Sequence, residues 1–217
     1  MPVPGDDSHD LEHFPFLAHL EVLPEWADAA RLFLEHGGPA MVLGAPDTGK
    51  STLGELLSRR LQRPRASVDR LRKVYYAEVG YDEQVAQHLR MTEGFAAVVR
   101  YWKPFDLHAV ERTLADHPGH VIDFGAGHSV FDDPGDMARL RALLAPYPNV
   151  ILLLPSPDPA ESVAILHDRI RLRTGIDGVE LNRYLMTSPC NRRLATHVVY
   201  TQEKTPQQVR DEILQLH

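Results

Sequence analysis

Short segments typical of strands recur along the chain, most of them largely apolar and each followed by polar or turn-forming residues. They cover residues 39–43, 65–68, 120–124, 150–154 and 196–200. The run over residues 150–154 contains no polar side chain, as is typical of a strand buried on both faces of a parallel sheet. The pattern therefore predicts five strands.

Between these runs, apolar residues are spaced three and four positions apart, as on one face of an α-helix. The spacing predicts helices over residues 25–36, 51–62, 82–102, 158–173 and 206–216. We expect Pro104 to begin a further helix, because proline suits the first helical turn. Thr205 and Gln208 match a capping box for the last helix. Strands that alternate with helices predict an α/β fold with a five-stranded parallel sheet flanked by helices.

The N-terminal part of the chain differs in composition from the rest. Residues 1–37 comprise an arm rich in Pro, Asp and His and the first predicted helix, which ends at Gly37. Residues 38–217 contain all five predicted strands. We expect this second part to form one domain, because a chain of 217 residues suits a single α/β domain with a substantial core.

Composition argues against several classes of function. The formal net charge of -7 disfavours a broad nucleic-acid-binding face. No run approaches the roughly 18 apolar residues of a membrane span, and the first residues lack the basic and apolar segments of a secretory signal. Cys190 is the single cysteine, which excludes an intramolecular disulfide and suits a reducing compartment. We expect a cytoplasmic protein, monomeric or homodimeric, with no nucleic-acid or membrane partner.

The segment from Gly44 to Thr52 fits the pattern G-x-x-x-x-G-K-[ST] of a phosphate-binding loop. Its glycines permit a close approach of the backbone, whose N–H groups converge on the phosphates. Lys50 adds a positive charge, and Ser51 offers a hydroxyl to Mg²⁺. A strand is predicted before the loop and a helix after it, which is the context that phosphate binding requires. The predicted nucleotide-binding residues are Gly44, Asp47, Thr48, Gly49, Lys50, Ser51 and Thr52.

Two carboxylates lie at the ends of predicted strands or directly after them. Asp69 comes directly after the second strand, and Asp123 lies near the end of the third. Ligands of parallel sheets gather at the carboxyl ends of the strands, where an acid can orient Mg²⁺ or accept a proton from a substrate hydroxyl. Asp69 is also placed to cap a helix that begins at Arg70, and one residue can do both.

With these residues in order, the chain resembles the shikimate kinase-like family of P-loop small-molecule kinases from about Ala40 to its C-terminus. The resemblance rests on five segments in the family's order and spacing, namely Gly44–Thr52, Ser67–Asp69, Gly94–Arg100, Gly125–Gly127 and Ala195–Leu214. It implies a three-layer P-loop kinase fold. It also implies phosphoryl transfer to a hydroxyl of a small metabolite, with ATP and Mg²⁺ as cofactors.

The resemblance further implies roles for particular residues. Lys50 and Asp69 would be catalytic, with Asp69 orienting or deprotonating the acceptor hydroxyl. The implied substrate-binding residues are Asp69, Arg100, Gly125, Ala126 and Gly127, and the implied metal-binding residues are Ser51 and Asp123. Arg169, Arg171 and Arg173 lie where the family carries a lid, and Arg171 is the predicted catalytic arginine. The alternative for these arginines is a solvated basic helix end.

Three departures from the family's pattern concern the substrate. Ser67 stands in place of the first acid of an Asp-x-Asp motif, so Asp123 would supply that charge at the metal. Ala126 replaces a glycine and narrows access to the backbone. Thr187 stands where a second substrate-binding arginine is expected, which removes one bidentate clamp on an acid. We therefore expect a substrate other than shikimate.

Two other classes of function stay open. The altered substrate motifs favour an NTPase or nucleotide-binding regulator whose acceptor is water or absent. A catalytically silent binding module is a third possibility. The intact Lys50–Ser51 pair argues against the third, because a silent site has no physical need for it.

Overall fold

Five parallel strands form one sheet, as the sequence predicts. The structure, a computed structural model, describes residues 40–171 and 183–216, without the side chains of residues 170 and 171. The strands are β1 (Ala40–Leu43), β2 (Arg65–Ser67), β3 (Val121–Asp123), β4 (Asn149–Leu154) and β5 (His197–Tyr200), in the spatial order β2-β3-β1-β4-β5. The N-terminal unit predicted over residues 1–37 lies outside the described residues.

The strand register brings the predicted site residues to one edge of the sheet. β3 lies between β2 and β1, so that Asp123 is opposite Ser67 on one side and Val42 on the other. β1 also pairs with β4, with Leu43 opposite Leu152. Parallel strands end at a common edge. The segments that follow Leu43, Ser67 and Asp123 therefore meet there.

Helices cover both faces of the sheet, which confirms the predicted three-layer α/β fold. They are α1 (Lys50–Leu61), α2 (Val68–Glu78), α3 (Glu83–Thr92), α4 (Phe95–Asp116), α5 (Pro134–Leu144), α6 (Pro159–Arg171), α7 (Cys190–Leu194) and α8 (Pro206–Ile213), and residues 183–187 are also helical. Because successive strand residues point to opposite faces, β1 divides between two cores. Met41 and Leu43 pack with α2, α4 and α5, whereas Ala40 and Val42 pack with α1 and α8.

The single helix predicted over residues 82–102 is wrong, because the chain forms two helices there. α3 ends at Thr92, and Gly94 adopts φ 84° and ψ -179°, values that an α-helix does not allow. The helix expected to begin at Pro104 is also wrong, because Pro104 lies inside α4. A proline there costs about 3 kcal/mol of helix stability. Residues on both sides of Pro104, including Val98, Leu107 and Leu114, are buried, and their packing offsets that cost.

Apolar spacing along the sequence did not predict α5 or α7, and α2 was expected only to begin at Arg70. α5 has a start signal that could have revealed it, since the Asp133 side chain accepts a hydrogen bond from Asp136 N at 2.9 Å and Pro134 follows the cap. α7 is too short for apolar spacing to reveal. α2 begins at Val68, directly after β2 and before the expected start at Arg70.

The C-terminal helix confirms its predicted capping box. Gln208 N donates to Thr205 Oγ1 at 3.2 Å, and Thr205 N donates to Gln208 Oε1 at 2.8 Å. Val209 and Ile213 are buried below this cap. Among the described residues, no helix has the length and apolar character needed to cross a membrane.

Candidate functional site

The loop between β1 and α1 holds a lysine that is almost fully buried. Lys50 is the first residue of α1 and is 8% exposed. Its Nζ donates a hydrogen bond to the carbonyl oxygen of Ala45 at 2.7 Å, and Thr48 Oγ1 donates to the same oxygen at 2.9 Å. The ammonium group is thus held inside its own loop, where a phosphate oxygen would offer it a charged partner instead.

Burial has a direct electrostatic consequence for this lysine. Removal from water lowers the pKa of Lys50 from 10.5 to about 8, and the negative charges of Asp69, Asp123 and Asp47 oppose that shift. The carboxylates of three different loop and strand ends therefore act on one ammonium group. This convergence is what the strand register predicts for the carboxyl edge of the sheet.

Asp123 is buried and accepts four hydrogen bonds. Arg65 Nε donates to Oδ1 at 2.7 Å and Arg65 Nη2 to Oδ2 at 3.0 Å, which makes a bidentate pair. Ser67 Oγ and Ser51 Oγ donate to Oδ2 at 3.0 Å and 3.2 Å. The hydrogen bond to Asp123 raises the pKa of Arg65, so its guanidinium group stays charged. Arg65 was not predicted as part of the site.

The oxygen atoms around Ser51 suit a magnesium ion that takes only a few of its ligands from the protein. Mg²⁺ prefers hard oxygen ligands and commonly takes one or two from the protein, the rest from phosphates and water. The structure brings the two predicted metal-binding residues, Ser51 and Asp123, into contact. No cluster of three or more His, Cys, Asp or Glu able to hold a metal occurs within residues 40–171 and 183–216. Because Arg65 engages both oxygens of Asp123, this carboxylate is better placed to act through Ser51 than to bind directly.

Asp69 lies in the first turn of α2, with a side chain that is 56% exposed. The alternative that it caps this helix is wrong, because Ser67 occupies the cap position and gives its hydroxyl to Asp123. Asp69 Oδ1 lies 3.8 Å from Arg72 Nη1 and 3.9 Å from His128 Nδ1. Its carboxylate is therefore open to a ligand on one side and faces a buried imidazole on the other.

The segment from Gly125 to Gly127 packs tightly against Asp69. A Cβ added to Gly125 would stand 2.3 Å from both Asp69 Oδ1 and His128 Nδ1, far inside van der Waals contact. Ala126 packs on the small apolar cluster of Ala45, Val130, Leu166, Leu185 and Cys190. Gly127 O accepts a hydrogen bond from Lys103 Nζ at 2.8 Å. Gly125 thus leaves room for the two polar side chains beside it.

Behind this segment lies a buried polar cluster that the sequence did not reveal. Tyr76 donates its hydroxyl hydrogen to Asp106 Oδ1, and Lys103 Nζ lies 3.2 Å from Asp106 Oδ2. His128 Nε2 lies 3.4 Å from Asp106 Oδ1. Burial raises the pKa of Tyr76, so it acts as a neutral donor. The only local signal was Lys103 and Asp106 one helical turn apart, and that spacing says nothing about which segment they face.

The predicted substrate-binding arginine lies at the surface. Arg100 is 69% exposed, and its Nη2 is 4.0 Å from Glu93 Oε2. The cation that reaches the glycine segment is Lys103, from the same helix. Thr187, at the position expected for a second arginine, donates its hydroxyl to Arg183 O at 2.8 Å within its own helical turn. Substrate binding by Arg100 stays a prediction.

The region of the predicted lid is only partly described. Arg169 Nη1 donates to Asp47 O at 2.9 Å, which links α6 to the phosphate-binding loop. The side chain of Arg171, the predicted catalytic arginine, and all of Arg173 lie outside the described residues. Arg192 lines a small cavity at the end of β4 together with Ser156 and Asn191.

Comparison with known proteins identifies the fold. No family model and no curated protein matches the sequence. Among solved structures, a shikimate kinase from Acinetobacter baumannii in complex with shikimate is similar, with 18% identity, 86% of this chain and 96% of that chain covered, and a TM-score of 0.56. A gluconokinase from Sinorhizobium meliloti 1021 is 16% identical, with 82% and 89% covered and a TM-score of 0.53. The chain has the α/β fold of these small P-loop kinases.

Proposed function

We propose that this protein transfers the γ-phosphoryl group of Mg-ATP to a hydroxyl of a small metabolite. The observation that carries the proposal is the convergence of Lys50, Asp69 and Asp123 at one edge of the sheet. Phosphoryl transfer needs a cation for the phosphates, an oxygen-rich metal site and an acid that orients the acceptor, and these residues supply all three. The kinase fold agrees with this assignment.

Each residue has a distinct part in the proposed reaction. Lys50 leaves the Ala45 carbonyl and stabilises the charge that develops on the transferring phosphoryl group. Ser51, backed by Asp123, holds Mg²⁺, which screens the phosphate charges when it is bound. Asp69 accepts the proton of the acceptor hydroxyl, because its carboxylate is exposed at the mouth of the site.

A second candidate is an NTPase or nucleotide-binding regulator. Two observations favour it, namely the exposure of Arg100 and the hydroxyl of Thr187 that is already bound to its own helix. Neither of these residues offers a buried cation to an acidic metabolite. In that case water would take the place of the metabolite, or transfer would not occur.

The test is ADP release from Mg-ATP by the full chain in the presence of shikimate, gluconate, nucleosides or amino sugars. We expect one of these compounds to stimulate ADP release, and Lys50→Ala to abolish the stimulation. Lys73→Ala is the matched control, because it removes an exposed cation of α2 outside the site. ADP release that no acceptor stimulates would favour the NTPase, and absence of Mg-ATP binding would favour a silent module.

A further inference from the structure

His128 is buried in a way that calls for a polar partner. The residue is 2% exposed, and among the described residues neither ring nitrogen makes a hydrogen bond. Burial of an imidazole without hydrogen bonds is costly, and such groups cluster at functional sites. His128 cannot contact a substrate directly, because the ring is covered. Any part that it has in the reaction must pass through a neighbouring residue.

Asp106 lies on one side of the ring. His128 Nε2 is 3.4 Å from Asp106 Oδ1, and Asp106 is itself fixed by Tyr76 and Lys103. A carboxylate that faces Nε2 favours the tautomer with its proton on that nitrogen. The other ring nitrogen, Nδ1, then presents a lone pair in the opposite direction.

Asp69 lies on that opposite side. His128 Nδ1 is 3.9 Å from Asp69 Oδ1, and Gly125 leaves the space in which the two atoms approach each other. While Asp69 is ionised, both atoms are hydrogen-bond acceptors, so a hydrogen bond between them forms only once Asp69 carries a proton. A small movement of the exposed Asp69 side chain would close the gap. The three residues then form a line from the buried Asp106 to the open mouth of the site.

We propose that His128 takes up the proton that Asp69 removes from the acceptor hydroxyl. This inference rests on the proposed function. The acceptor oxygen forms a bond to the γ-phosphorus while the bond from that phosphorus to the β,γ-bridging oxygen breaks, and ADP leaves. The hydroxyl proton passes to Asp69 Oδ1 and then to His128 Nδ1, and returns to solvent after product release. His128 thus acts through Asp69 and returns it to the ionised form after the proton transfer.

The charges around the ring suit a proton acceptor. Asp69 and Arg72 face it from α2, and Lys103 and Asp106 face it from α4. Desolvation lowers the pKa of His128, the two aspartates oppose the shift, and Arg72 and Lys103 reinforce it. The imidazole is therefore neutral at neutral pH. Once a proton arrives, the two flanking carboxylates stabilise the imidazolium.

The first test needs no acceptor. Nitrogen-15 NMR of the histidine rings in the full chain, at pH 7, should show His128 neutral with its proton on Nε2. Asp69→Asn should lower the pKa of His128, because it removes a negative charge beside Nδ1. A proton on Nδ1, or an imidazolium at pH 7, overturns the proposal whatever the enzyme's substrate is.

The second test is kinetic and uses the acceptor from the metabolite panel that gives the fastest ADP release. We expect His128→Gln and His128→Asn to lower kcat by roughly 10-fold or more, the lower end of general acid–base effects. KM for ATP should change less than twofold, and the acidic limb of the kcat–pH profile that belongs to His128 should disappear. His88→Gln is the matched control, because His88 is exposed on α3.

The outcomes separate the inference from the proposed function. If the wild-type chain shows stimulated ADP release that requires Lys50, but folded His128 variants keep its kcat and pH profile, the inference alone is wrong. If no acceptor stimulates ADP release, the proposed function is contradicted, and the inference that rests on it is contradicted as well. A loss of thermal stability in the His128 variants with unchanged kinetics would assign the residue a structural part only and would also overturn the inference.

Discussion

Burial of the Lys50 ammonium group lowers its pKa to about 8, which places its ionisation inside the range of ordinary enzyme assays. Phosphate binding requires the charged form. The charge is present below the folded-state pKa and is lost as the pH rises through it. We therefore expect the affinity of the wild-type chain for ATP to fall as the pH rises above about 8. Calorimetric titration with ATP from pH 6.5 to 9.5 checks this. Lys50→Ala should not show this fall in affinity.

The same shift has the opposite effect on folding. The pKa of Lys50 is lower in the folded chain than its ordinary value of 10.5, so between about pH 8 and 10.5 the unfolded chain binds more protons. Stability then rises with pH in that window. We expect the difference in free energy of unfolding between the wild type and Lys50→Met to shift in favour of the wild type across this range. Urea unfolding of both proteins measures it, and a difference independent of pH would contradict the shift.

Asp69 is exposed and Asp123 is buried, so replacing each by asparagine should have different effects on stability and activity. Asp69→Asn leaves no buried charge unpaired, and we expect stability within about 0.5 kcal/mol of the wild type. Its phosphoryl transfer should fall roughly 10²-fold, as for a lost general base. Asp123→Asn removes the bidentate partner of the mostly buried Arg65 and leaves it only the 3.5 Å contact with Glu55, and we expect a loss of about 3 kcal/mol.

The two aspartate variants should also differ in their response to magnesium. Asp123→Asn should weaken the dependence of ADP release on Mg²⁺, whereas Asp69→Asn should leave Mg-ATP binding largely intact. Urea unfolding and magnesium titrations on both proteins decide the matter. If Asp69→Asn mainly raises the Mg²⁺ requirement, the two roles are assigned backwards.

At the residue scale, contacts of the site could be predicted from the sequence only between residues that lie close together along the chain. The phosphate-binding loop is a local motif, and its geometry follows from consecutive residues. The pairs Arg65–Asp123 and Asp106–His128 join residues far apart in sequence, and no local signal marks which arginine or histidine will be buried against which acid. Burial decides their chemistry, and only the assembled sheet reveals it.

At the scale of elements, α4 is where sequence reasoning failed for a physical reason. Proline is unfavourable inside a helix, which made a helix boundary at Pro104 the natural expectation. Tertiary packing overrides that preference, because residues on both sides of Pro104 are buried. β1 and β4 were predicted well because burial on both faces of a parallel sheet leaves an apolar run in their sequences.

Pro104 should therefore carry a measurable cost in stability. We expect Pro104→Ala to raise the free energy of unfolding by about 1–2 kcal/mol, the helix-interior penalty of proline less its benefit in the unfolded chain. Pro134→Ala is the matched control, because Pro134 occupies the first turn of α5, where proline is favourable. Urea unfolding of both variants checks the contrast. Equal effects at the two positions would mean that α4 is adapted to its proline.

At the scale of the whole molecule, the fold brings the proposed catalytic residues together without fixing the acceptor. The carboxyl edge of the sheet gathers Lys50, Asp69 and Asp123, and any small P-loop kinase needs such a set. Specificity depends on the surrounding cations. Here Lys103 is engaged with Gly127, and Arg100 lies at the surface. The fold could be predicted from the sequence because its pattern is regular, but the substrate contacts could not, because single side chains decide them.

We expect shikimate to be a poor acceptor. Thr187 stands where the resemblance calls for a second arginine, and its hydroxyl is bound to Arg183 O. A hydroxyl cannot replace a bidentate cation, and one lost charge-assisted hydrogen bond costs about 1.5–3 kcal/mol, or roughly one to two decades in affinity.

A gain of function provides the sharpest test of that expectation. Thr187→Arg should raise kcat/KM for shikimate by roughly 10-fold to 100-fold over the wild type, because it restores a planar donor pair for the carboxylate. Thr187→Lys should gain less, since an ammonium group binds as a point charge. Coupled ADP-release assays with shikimate and with gluconate measure both variants. Efficient turnover of shikimate by the wild-type chain at micromolar concentration would show that another cation, such as Arg183 or Arg192, already fills this place.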